Sequence, residues 1–210
     1  MKIGDLLRIV GEEPVFETAL LLAGSVDPAD VRRQLSRWTK SGVLFQLRRG
    51  LYCLAPPYQK VKPHPFLVAN HLIRGSYVSL ESALAFYGLI PEYAPSVTSM
   101  APGRPAIHEN RLGTFYFHHL DRKYYEGYRR MELSAAQYAF VASPEKALLD
   151  LIHLRSGGDN PEFIGELRLQ NLDVLDAGEL ERLGWAPKLK RAVRTLLAMI
   201  EEQQEEYEPL

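Results

Sequence analysis

The most constraining stretch of this chain is a helix with both ends marked, followed at once by two short strand-like runs. Asp27 can cap a helix, Pro28 suits its first position, and Asp30 falls in its first turn. The helix is expected to run to about Ser41, with Gly42 fit to end it. Within it Val31, Leu35 and Trp38 fall at i, i+4 and i+7 and must face inward. Arg33, Arg37 and Lys40 repeat that spacing on another face, flanked by Arg32 and Ser36, so the outer side is a cationic ridge. Then come Val43-Leu44-Phe45-Gln46-Leu47, the turn Arg48-Arg49-Gly50, and Leu51-Tyr52-Cys53-Leu54, which predict a hairpin.

Two helices are expected before this unit. Ile3, Leu6, Leu7 and Val10 predict one over residues 2–10, ended by Gly11; Phe16 to Ala23 predicts a second, stopped by Gly24. Three helices and a hairpin within 60 residues make the pattern of a winged helix-turn-helix, closed by Pro56-Pro57. Residues 56–65, with four prolines and two lysines, are expected to form a linker. Beyond it the expected elements are helices over Phe66–Ile73 and Leu80–Tyr87 and strands over Ser96–Met100, Thr114–His119 and Tyr138–Ala142. Ser143-Pro144-Glu145 opens a helix to about Leu154. Residues 161–206 are expected to be helical, broken at Gly178 and around Trp185–Pro187, before a Glu/Gln-rich tail, Glu201 to Glu208. The fold class is therefore α+β: a winged helix-turn-helix over residues 1–57 and a larger mixed α+β domain over residues 64–210.

A net charge of −1 over 210 residues argues at first against a nucleic-acid partner. The distribution reverses that argument. The window Val31–Leu80 carries nine Lys or Arg and no Asp or Glu, where the chain's overall acid content would put about six. Residues 1–30 hold two basic against six acidic residues, and residues 81–210 hold fourteen against twenty. One basic segment is thus embedded in an acidic protein, and it contains both the cationic helix and the hairpin turn. A helix entering the major groove needs donors on the face away from its core. Arg33 and Arg37 meet that need, with Arg32 and Ser36 beside them, while Lys40 suits a phosphate and Arg48 and Arg49 reach from the hairpin tip. The same surface could instead be a solvated face or dock a protein.

Other features narrow the field. The apolar runs are far shorter than the roughly 18 residues of a membrane span, and the N-terminus lacks the apolar core of a secretory signal, so a cytoplasmic protein is expected. The lone cysteine, Cys53, excludes an internal disulfide and a Cys-rich zinc site. His64, His71, His108, His118, His119 and His153 make no metal-ligand spacing, and His118 and His119, adjacent on a strand, must face opposite ways. Gly75-Ser76 lacks the paired downstream carboxylates that a nucleotidyltransferase site needs, and there is no phosphate-binding G-x-x-x-x-G-K-[ST] loop. No catalytic residue, cofactor or metal is expected. Glu81, the pair Glu145/Lys146, and Arg104 between Gly103 and Pro105 are the candidates for a functional surface on the second domain.

Several spaced blocks resemble one family. Gly42-Val43-Leu44-Phe45-Gln46-Leu47-Arg48-Arg49-Gly50-Leu51-Tyr52 is similar to the wing of AbiEi-type antitoxins. The likeness continues through Tyr77-Val78-Ser79-Leu80-Glu81-Ser82-Ala83-Leu84-Ala85-Phe86-Tyr87-Gly88-Leu89-Ile90-Pro91-Glu92, then Val97-Thr98-Ser99 with Gly103-Arg104-Pro105. It goes on in Thr114-Phe115-Tyr116-Phe117-His118-His119 and ends in Val141-Ala142-Ser143-Pro144-Glu145-Lys146-Ala147-Leu148-Leu149-Asp150-Leu151. The resemblance implies a type IV antitoxin of an abortive-infection system, with a winged helix that binds inverted repeats in its own promoter and represses the operon. It implies a second domain that carries antitoxicity and supports cooperative operator binding, and a nucleotidyltransferase-like toxin countered without a stable complex. The family's DNA-contacting character maps onto Arg32, Arg33, Arg37, Lys40, Arg48 and Arg49. A stand-alone transcription regulator of the same fold and a winged-helix protein-interaction module remain the alternatives.

Overall fold

The computed structural model describes residues 1–23, 26–91, 95–134 and 136–207. Gly24, expected to stop the second helix, Glu92, at the end of one resemblance block, and Glu208, at the end of the tail, lie outside the described residues. The fold is mixed α+β. Among the described residues the strands make two sheets, one of three strands and one of six.

The N-terminal part begins with α1 (Ile3–Val10), where the Asp5 carboxylate accepts from the Lys2 amide and Gly11 closes the far end at φ 60°. The second expected helix is much shorter than its apolar run suggests. Phe16–Glu17 form a strand, β1, and only Thr18–Leu21 (α2) is helical. The reason is tertiary: Phe16 and Glu17 pair with Tyr52 and Leu51, and the Phe16 ring lies 5.9 Å from that of Tyr52. Helix α3 (Pro28–Lys40) and strands β2 (Leu44–Arg48) and β3 (Leu51–Leu54) follow as expected. Leu6, Val10, Phe16, Leu21, Val31, Leu35, Trp38, Leu44, Tyr52 and Leu54 bury one another in a small core.

That core uses only one face of the small sheet. Every residue of β3 is buried, and Leu47, Leu51 and Cys53, with Val15, belong to the core of the rest of the chain. The expected linker is not loose either. Pro63 is buried, the Lys62 carbonyl accepts from the Gln137 side-chain amide at 3.0 Å, and the His64 amide donates to its oxygen at 2.8 Å. The part over residues 1–57 is docked on the part over residues 64–210, not tethered to it.

The larger part opens with α4 (Pro65–Leu72), β4 (Tyr77–Val78), α5 (Leu80–Phe86), β5 (Val97–Ala101), β6 (Ala106–Asn110) and β7 (Gly113–His119). A 3-10 turn (Arg122–Tyr124) leads to β8 (Tyr128–Ser134), β9 (Gln137–Ala142), α6 (Pro144–Leu154) and α7 (Pro161–Glu166). Strands β4 and β9 run parallel, as do β5 and β7, while the other pairs are antiparallel. The C-terminal part is less continuous than expected. Residues 167–176 hold only a 3-10 turn (Leu172–Val174) before α8 (Ala177–Leu183) and α9 (Pro187–Tyr207). Gly178, expected to break a helix, sits inside the first turn of α8, whose start is fixed by Asp176 accepting from the Glu179 amide at 2.8 Å. Among the described residues no helix is long and apolar enough to cross a membrane.

Candidate nucleic-acid interface

The expected recognition helix is built as its sequence dictates. The Asp27 carboxylate accepts from the Ala29 amide at 2.8 Å, satisfying one of the free N–H groups of the first turn. At the other end Gly42 takes φ 75°, which lets the Val43 amide reach back to the Trp38 carbonyl at 2.9 Å. Between these caps Val31, Leu35 and Trp38 are buried, and Arg32, Arg33, Ser36, Arg37 and Lys40 are all exposed. The ridge therefore exists as a surface. Replacing Asp27 with Ala is expected to cost about 1 kcal/mol, read as a lower melting temperature.

Arg33 is paired one turn back with Asp30, both side chains being mostly in solvent. Such a pair is worth at most about 1 kcal/mol and exchanges readily for another anion. The two hairpin arginines, expected to act together, do different things. Arg49 is exposed in the turn, where Gly50 at φ 81° supplies the left-handed conformation. Arg48 turns toward the second part: its Nε and Nη2 donate to the His71 carbonyl at 3.3 and 3.0 Å, and its Nη2 lies 3.6 Å from Glu17. Arg74 donates to the same Glu17 at 2.7 Å, and that bond holds the Glu17 carboxyl below its ordinary range. So the basic window divides. Arg32, Arg33, Ser36, Arg37, Lys40 and Arg49 face solvent, while Arg48 and Arg74 share an acid at the junction of the two parts.

The second-domain candidates also separate. Arg104 is exposed in its loop, and Glu81 pairs with Arg155 at 3.2 Å. Glu81 and Arg155, with His118, Tyr116 and Phe163, line a cleft of about 480 Å³ between α5, α7 and the sheet. His118 is half-buried, and burial pushes its pKa below the ordinary imidazole value, whereas His119 is more exposed and contacts the Gly103 carbonyl at 2.9 Å. Burial pushes the Cys53 thiol up to about 11. Among the described residues no group of three or more His, Cys, Asp or Glu could hold a metal ion.

Glu145 and Lys146 are not surface residues. They are 4% and 2% exposed. Glu145 accepts from the Asp176 amide at 2.9 Å. Lys146 donates to Asp150 at 2.7 Å, and the other Asp150 oxygen accepts from the Tyr77 hydroxyl at 2.9 Å and the Ser79 hydroxyl at 2.8 Å. The rings of Tyr125 and Tyr128 pack on Tyr77. This closed cluster ties β4, the start of α5 and α6 together. Its signal was in the sequence: Ala147, Leu148, Leu149, Leu151 and Ile152 point all round α6, so the charged residues among them have no solvent face.

No protein-family model matches the chain, and no curated protein is significantly similar to it.

Proposed function

We propose that the chain is a duplex-DNA-binding autorepressor in which residues 1–57 act as a winged helix-turn-helix, and that it serves as the antitoxin of a type IV toxin–antitoxin pair. The observation that carries the DNA reading is the solvent face of α3. Arg32, Arg33, Arg37 and Lys40 line it without being needed for the core beneath. The arginines can each donate two bonds to a guanine edge, Ser36 can bond a base or a phosphate, and Lys40 and Arg49 suit phosphate oxygens. The antitoxin reading rests on the resemblance of residues 42–151 to AbiEi-type proteins, and assigns opposition to a nucleotidyltransferase-like toxin to the second domain. On this reading the chain works in the cytoplasm beside its own promoter, without a cofactor and without catalysing a reaction.

The test uses the full chain. It is titrated by fluorescence anisotropy with a duplex from upstream of its reading frame and with a random duplex. The expected result is a preference for the first. Its affinity should fall about a hundredfold between 50 and 200 mM salt, the loss for about four neutralised phosphates. Flat titrations with both duplexes would leave α3 a protein-docking face and sink the DNA reading. For the second half, the full chain is co-expressed with the product of the adjacent reading frame. Growth arrest that the full chain does not relieve, or a neighbour with no nucleotidyltransferase-like sequence, overturns the antitoxin reading.

A further inference from the structure

Arg48 occupies the hairpin position where a DNA contact is expected, yet its guanidinium does something else. Strand β2 carries a register shift between Gln46 and Arg48 opposite β3. An extra residue of this kind re-aims the side chain that follows it. Here it swings Arg48 off the hairpin tip and onto the end of α4. The His71 carbonyl lies in the last turn of that helix, where carbonyls lack partners within the helix and negative partial charge collects. Arg48 supplies two donors there and leans on Glu17, which β1 brings in from the other side. Glu17 also holds Arg74, from just beyond α4. Close by, the Thr18 amide donates to the Gly50 carbonyl at 2.9 Å, and the Asn110 side chain of β6 donates to the Leu47 carbonyl at 3.4 Å. The hairpin turn is therefore held on two sides by polar bonds, above the shared apolar core of Leu47, Leu51 and Cys53.

We infer that Arg48 is a positioning residue and not a DNA contact: with Glu17 it clamps the hairpin turn to α4, so that the second domain sets where Arg49 stands relative to the ridge on α3. The inference rests on the DNA reading for its consequence, but the clamp itself does not. It also makes the second domain a regulator of DNA binding, because anything that moves α4 moves the turn.

The experiment compares Arg48→Ala, Arg49→Ala and Glu17→Gln in the full chain, titrated with the upstream duplex across a range of salt. Arg49→Ala should lower the salt slope by about one, as the loss of a phosphate contact does. Arg48→Ala should weaken binding about tenfold with an unchanged slope. Glu17→Gln removes a negative charge beside a basic surface, so simple attraction would tighten binding. The clamp instead requires it to weaken severalfold. A slope lowered by about one in Arg48→Ala, or binding kept or tightened in Glu17→Gln, overturns the inference. Amide exchange at Thr18 is read in parallel and needs no DNA. It should quicken in Arg48→Ala at unchanged melting temperature, and unchanged exchange overturns the clamp. A wild-type protein that binds no duplex, together with quickened exchange in Arg48→Ala, would fail the DNA reading and keep the clamp.

Discussion

Replacing Asp150 with alanine is expected to lower the stability of the chain by about 3–5 kcal/mol, the usual cost of breaking a buried ion pair from one side. The Asp150 carboxylate is 2% exposed and is the acceptor for Lys146, Tyr77 and Ser79 at once. Its removal leaves the Lys146 ammonium buried without its carboxylate and two hydroxyls without their acceptor. A domain of ordinary stability has about 5–15 kcal/mol in total, so the variant should unfold at a much lower urea concentration. Lys146→Met should cost less, because Asp150 would keep both hydroxyl donors. The double replacement Lys146→Met with Asp150→Leu should recover much of the loss, since it removes the stranded charge along with the pair. Urea unfolding of the three variants decides it. A midpoint for Asp150→Ala close to that of the wild type would mean that the cluster contributes little to the fold.

Reversing Arg33 and Arg37 to Glu should weaken binding of the upstream duplex by at least a hundredfold. Each arginine lost from a base edge removes about 1–3 kcal/mol. Each carboxylate put in its place then faces the phosphate backbone with like charge. Both arginines are exposed, and the buried face of α3 is made by Val31, Leu35 and Trp38, so the fold should be untouched. Far-ultraviolet circular dichroism and the melting temperature serve as the control. Unchanged affinity in a gel shift, with the fold intact, would show that α3 does not face DNA.

Elements with chemically marked ends were legible from sequence alone. Helix α3 has Asp27 before it, Pro28 at its first position and Gly42 after it. Helix α6 has Ser143, whose hydroxyl accepts from the Lys146 amide, and Pro144 behind that cap. The hairpin was legible from its Gly50 turn. Elements that exist because of a distant partner were not. Strands β1 and β4 are two residues long and are held by Tyr52 and Leu51 and by Met100, Ser99 and Val141. No local pattern can announce so short a piece. Strand β8, Tyr128–Ser134, lies at a sheet edge with most side chains in solvent, so its sequence carries charges where a central strand would alternate. The same division holds at the candidate site. The ridge on α3 follows from helical spacing. The direction of Arg48 depends on a local irregularity in β2, and adjacent arginines at a turn give no sign of which is free.

Strand β3 is buried on both faces, once against the small helical core and once against the large one. The two parts of the chain therefore lack separate fates. A lesion that unfolds either exposes the apolar surface of the other, and a protease that opens one gains entry to both. On the proposed function, repression and protection would then decay with a single half-life. The operon would resume transcription as the safeguard against its toxin disappears, which sets replacement of the antitoxin in motion with no separate sensor.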